Sequence, residues 1–170
     1  NGMRLGENAA RCNGSARREG EAGMMKLFLH GVPDSAAIWR PLLQQLQMPD
    51  GEYVTPTLPG FDAALPAGFA ATKEAYVDWL LQEIEALYAK HGPIDLIGHD
   101  WGALLVQRAA MLQPHMVRSW VLMNAVIEPK YRGHRLAKIW STPIVGEIFM
   151  ELAGPGRLAR SLTDAGVPHD

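Results

Sequence analysis

A chain of 170 residues, 48% hydrophobic and 20% charged, has the size and composition of about one soluble globular domain with a core of its own. Its formal net charge of -2, with Lys and Arg scattered apart from a loose cluster at Arg11, Arg17 and Arg18, points away from nucleic acid or an anionic membrane as partner. The single cysteine, Cys12, excludes an internal disulfide and a cysteine zinc cluster and fits a reducing, cytoplasmic setting. No apolar run reaches the ~18 residues that a membrane span needs.

Residues 1–23 have no helical or strand period and no apolar signal-peptide core, and read as a disordered leader. From Lys26 the chain alternates between strand-like and helix-like segments. Lys26 to His30 is a short apolar run that suits a buried strand. Trp39, Leu42, Leu43 and Leu46 then recur on one helical face, with Pro41 tolerable in the first turn. Tyr53 to Leu58 reads as a second strand, stopped by Pro59-Gly60, and residues 61–71 as loop. Val77, Leu80, Leu81, Ile84, Leu87 and Tyr88 stripe a long helix from about Thr72, a capping residue, to Gly92-Pro93. Ile94 to Ile97, Ala103 to Leu112 and Arg118 to Val126 read as strand, helix and strand. This alternation predicts an α/β fold, a parallel sheet with right-handed crossovers in which the strand at 94–98 is central. From residue 127 the pattern changes to helix-like pieces, His134 to Trp140 and Val145 to Leu152, interrupted by Gly and Pro.

The stretch IDLIGHDWGALLVQRAA places G-x-D-x-G between a strand and a helix. A strand that turns sharply into a helix pushes the middle residue, Asp100, into a strained and exposed position. Gly98 and Gly102 flank it because the turn brings backbone too close to neighbouring chain for side chains. Asp100 then sits at a helix N-terminus, where the dipole favours negative charge. Its carboxylate, with an ordinary pKa near ~4, is already ionised at pH 7. It suits direct attack on an electrophilic sp3 carbon, giving a covalent ester that water must then hydrolyse. That is the chemistry of epoxide opening or halide displacement. Alternatively, Asp100 is a surface residue that caps its helix. About seventy residues earlier, His30-Gly31-Val32-Pro33 closes the first strand. In such an architecture this loop lies beside the elbow, and the N–H groups of Val32 and Trp101 form the natural oxyanion pair. Pro33 stiffens the loop, and His30 and His99 read as makers of structural hydrogen bonds. Asp34 and Asp62 read as Asx-turn residues of pocket-lining loops.

With these motifs, FLHGVPDSAAIWRPLLQQL, TPTLPGFD and DLIGHDWGALLVQ, the chain resembles the α/β-hydrolase superfamily over residues 25–126, in the branch that holds epoxide hydrolases and haloalkane or haloacetate dehalogenases. The resemblance implies Asp100 as nucleophile, Val32 and Trp101 as oxyanion donors, and residues 127–170 as the start of a helical cap. Residues 24–126 would form the N-terminal half of the hydrolase core, an incomplete parallel sheet. The family also needs a later acid and a catalytic histidine. Among His30, His91, His99, His115, His134 and His169 none is a convincing base, so the chain reads as truncated before them. Tyr131 and Trp140 are weaker candidates for lining the substrate pocket. The leading expectation is an epoxide hydrolase-like enzyme on a small apolar organic substrate, needing no cofactor or metal. The alternatives are a dehalogenase, with Trp101 donating to halide, and a non-catalytic fragment lacking its histidine.

Overall fold

Successive strand residues point to opposite faces. In β1 (Lys26–Leu29) Leu27 and Leu29 pack to one side and Phe28 to the other, and all three are buried because helices cover both. In the computed structural model, which describes residues 23–62, 64–125, 138–139, 142–149 and 151–152, β1 pairs in parallel with β2 (Tyr53–Val54) and with β3 (Ile94–His99). β3 pairs in parallel with β4 (Val117–Met123), so the sheet order is β2-β1-β3-β4 and β3 is interior. The chain falls into two units, Asn1–Ala125 and Val126–Asp170, and the sheet lies wholly in the first.

A 3-10 turn at Ala36–Trp39 leads into α1 (Arg40–Gln45). Ser35 Oγ accepts from Ala37 N–H at its start, and Pro41 falls in the first turn of α1, where its missing N–H costs nothing. Trp39 and Leu43 close over Phe28 on this face. The other face carries α2 (Lys73–His91) and α3 (Trp101–Leu112). Leu80 and Ile84 of α2, with Leu105, Val106 and Ala109 of α3, pack on Leu27, Leu29, Ile94 and Leu96. Each such leucine or isoleucine, once buried, contributes about 1.5–3 kcal/mol. Thr72 caps α2 by accepting from Ala75 N–H, and Gly92 ends it at φ +72°, a left-handed conformation that favours glycine. The loop between β2 and α2 is tied down where Tyr76 donates its phenol hydrogen to the Pro59 carbonyl.

Several boundaries differ from the expectation. β2 ends at Val54 rather than Leu58. Pro56 has no N–H for a ladder, and the N–H of Leu58 is used instead by His30 Nε2. α3 starts at Trp101, two residues early, because Asp100 already stands at its N-cap. β4 stops at Met123, where Asn124 turns the chain at φ +51°. Of the expected helical pieces beyond 126, residues 138–139, 145–149 and 151–152 are helical and the rest lies outside the described residues. No described helix is long and apolar enough to cross a membrane.

β4 pairs with β3 on one edge, and among the described residues no strand pairs with the other. Trp120 and Val121, which point to opposite faces, are each 50% exposed. An open, apolar edge of this kind templates association. Val121→Lys should therefore shift the chain toward monomer in sedimentation velocity. An unchanged distribution would mean that the edge is already covered.

Candidate active site at the carboxyl edge of the sheet

Parallel strands bring their carboxyl ends to one edge. From β1 the chain moves outward to β2, then returns to the far side of β1 to form β3. Between β1 and β3 the strand order therefore reverses, and the loops leaving these two strands separate and open a crevice. Leu29 is in register with Gly98, so His30-Gly31-Val32 and His99-Asp100 leave the sheet side by side.

Asp100 occupies φ +53°, ψ -119°, a region that costs a non-glycine residue about 1–3 kcal/mol. Two contacts hold it there. Its N–H donates to the Met123 carbonyl at 2.9 Å, and Ala103 N–H donates to its carbonyl at 3.0 Å. The carboxylate makes no capping bond to α3, which removes the reading of Asp100 as a helix cap. Instead Oδ1 accepts from Val32 N–H at 3.0 Å, 68 residues away in sequence. Trp101 N–H, the first of α3, makes no bond to the carboxylate, though its position at the helix start aims the dipole at the same place.

The glycines account for how closely these segments meet. A Cβ on Gly102 would stand 2.4 Å from the Leu29 and His30 carbonyl oxygens, and one on Gly31 would stand 2.5 Å from Asp100 Cβ. Gly98 is hemmed in likewise by Ala103 Cα at 2.6 Å. His30, fully buried, braces the loop: Leu58 N–H donates to Nε2 at 3.0 Å, which leaves Nδ1–H to donate to the Gly31 carbonyl at 2.8 Å. The Val32-Pro33 peptide is cis.

Trp101 is 45% exposed and lines an open groove of about 510 Å³ between α2 and α3 with Lys73, Asp78, Leu104, Arg108 and Leu112. Asp100 is not among the groove's lining residues. His91 at the end of α2 and His115 in the turn before β4 lie at the amino edge of the strands, opposite Asp100. Tyr131 and Trp140 lie outside the described residues.

Asp34 makes no Asx turn; it is Ser35 that bonds the following backbone. The Asp34 carboxylate faces His99, Oδ2 to Nδ1 at 3.6 Å, while His99 Nε2 lies 3.0 Å from Asn124 Nδ2. Burial pushes the Asp34 carboxyl above the usual carboxylate range; His99 lowers it, Asp100 raises it further and His30 lowers it. Sequence reading took His99 and Asp34 one at a time. Only their positions, at the ends of β3 and β1, make them neighbours.

The site is thus a strained acidic residue in a sharp strand-to-helix turn, with a backbone N–H from a second loop on its carboxylate. The chain belongs to the alpha/beta hydrolase family, whose model matches residues 27–168. Over 160 residues it is 26% identical to a haloalkane dehalogenase of Mesorhizobium japonicum, covering 85% of this chain and 51% of that protein. Over 125 residues it is 29% identical to epoxide hydrolase 3 of Mus musculus, covering 69% of this chain and 33% of that one. The crystal structure of a haloalkane dehalogenase from Bradyrhizobium elkani USDA94 superposes with TM-score 0.64 at 28% identity, over 84% of this chain and 50% of that one. The chain thus spans a third to a half of the length of these relatives.

Proposed function

We propose that this chain carries the nucleophilic half of a hydrolase that works through a covalent aspartyl ester, with a small apolar epoxide as substrate. The observation that carries this reading is the state of Asp100: strained, released from capping duty, and bonded through Oδ1 to Val32 N–H. With Oδ1 so held, Oδ2 is the oxygen left for attack. That oxygen forms the bond to carbon as the carbon–oxygen bond of the epoxide breaks, and the electron pair stays on the departing oxygen, which takes a proton from solvent or a nearby acid. The Val32 N–H and the helix dipole remain on the carbonyl oxygen of the ester. When water adds to that carbonyl, they stabilise the charge that develops there. Trp101 N–H, the first of α3, is the second donor in this reading. The half-exposed indole of Trp101, next to Asp100 in the chain, offers apolar surface to a small substrate.

Halide displacement is the second reading, and the half-exposed Trp101, whose indole N–H is a donor, favours it. Val32 offers no side-chain donor, which favours the epoxide. Diol formation against halide release separates the two.

Hydrolysis of the ester needs a base. Among the described histidines, His30 is fully engaged, His99 Nε2 is taken by Asn124, and His91 and His115 stand at the opposite edge of the sheet, so none of these is set to activate water and the ester is expected to persist. Incubation with a reactive alkyl bromide or epoxide should add one mass to the intact protein, mapped by peptide sequencing to Asp100 and absent in Asp100→Asn. Adduct on another residue, or none, would remove Asp100 from this role.

A further inference from the structure

Three strand ends meet around His99. Asp34 lies in the loop after β1, His99 is the last residue of β3, and Asn124 follows β4. Asn124 Nδ2 donates to His99 Nε2 at 3.0 Å, which leaves a hydrogen on Nδ1. That atom is buried without a hydrogen-bond partner, and the charged atom facing it is Asp34 Oδ2 at 3.6 Å. Trp39 packs edge-on to the imidazole, ring centres 6.5 Å apart, while the His99 and Asp34 side chains stay partly open to solvent, 25% and 36% exposed. The next residue after His99 is the elbow itself, and two residues before Asp34 is the N–H that holds Asp100 Oδ1. The two segments that build the site are therefore joined twice, once through Val32 and Asp100 and once through Asp34 and His99.

We propose that Asp34 is a positioning residue for the reaction at Asp100: its carboxylate holds His99, and through His99 the elbow, and its negative charge favours the step that discharges Asp100. This rests on the reading of Asp100 as nucleophile. In that step an oxygen of Asp100 bonds to carbon while a carbon–bromine bond breaks and bromide leaves with the electron pair. Negative charge moves from Asp100 onto the leaving ion and away from Asp34. A second carboxylate nearby raises the energy of the charged nucleophile more than that of the ester, so the ionised form of Asp34 promotes attack. Among the described residues, the charged or titratable groups that face Asp34 are His99, Asp100 and His30.

The sign of the pH dependence follows. Burial raises the Asp34 carboxyl, so its charge is present above a pH higher than that of an ordinary carboxyl and is lost as the pH falls through it. The rate of Asp100 alkylation by a small alkyl bromide, followed on the full chain by intact mass, should fall on the acid side with an inflection that belongs to Asp34. Asp34→Asn should lose that inflection and react roughly tenfold more slowly at neutral pH, the scale of one close charge interaction. Asp34→Glu should restore both. His99→Gln, which removes a group that lowers the Asp34 carboxyl, should move the inflection to higher pH. At fixed pH the ring-nitrogen chemical shifts of His99 should move in Asp34→Asn and not in Asp34→Glu. An Asp34→Asn profile and His99 signals that superpose on the wild type would overturn the proposal. No alkylation of the wild type at all would mean that the nucleophile reading has failed, and the positioning role with it. The His99 nitrogen signals would in that case still report whether Asp34 and His99 are coupled.

Discussion

Gly102→Ala should cost about 3 kcal/mol or more of stability, although it places alanine inside a helix. Helix propensity alone favours alanine over glycine by about 1 kcal/mol. The clash outweighs it because the added methyl meets the carbonyl oxygens of Leu29 and His30 at 2.4 Å. Those atoms belong to the backbone of β1 and its exit and cannot rotate aside as a flexible side chain would. Relief requires α3 to move off the sheet, which breaks the packing of Leu105, Val106 and Ala109. A loss of this size is a large fraction of the stability of a small domain. Urea unfolding followed by circular dichroism measures it, and a midpoint at or above that of the wild type would show that α3 shifts without cost. The reactivity of Asp100 should fall as well, since the elbow and the β1 exit are held together at this contact.

His30→Leu should cost about 3 kcal/mol, through unmade hydrogen bonds rather than lost volume. It strands the buried N–H of Leu58 and the carbonyl of Gly31, at about 1–3 kcal/mol for each unsatisfied group. His30→Gln, whose amide both accepts and donates, should recover part of the loss. The same substitutions should slow alkylation of Asp100, because His30 braces the loop that presents Val32 N–H. Equal stability of the leucine and glutamine variants would show that the imidazole is held for its shape alone.

Both effects act on backbone groups at the exit of β1, and that bears on how much was legible beforehand. The alternation of strand and helix, the parallel sheet and the central place of β3 follow from local periodicity. Apolar runs such as Lys26 to Leu29 and Ile94 to Ile97 can be buried on two faces only between layers of helix. Gly98-His99-Asp100-Trp101-Gly102 announced a tight strand-to-helix turn because glycine at both flanks and a carboxylate between them have a common cause in close packing. The element ends were less legible. Pro56 and the demand of His30 for a backbone donor cut β2 to two residues, and the second of these is a contact between residues 28 apart in sequence.

What only the tertiary structure decided is which side chains share a charge. Asp34 and His99 stand 65 positions apart, and no local period connects them; the parallel register of β1 and β3 brings them to 3.6 Å. The same register turns the Asp100 carboxylate away from its own helix and onto Val32 N–H. Sequence by itself determined that an acidic elbow would form, because turn geometry and helix start are set within a few residues. Its partners come from strand order, a global property of the sheet, and so only the folded chain specifies the electrostatics around Asp100.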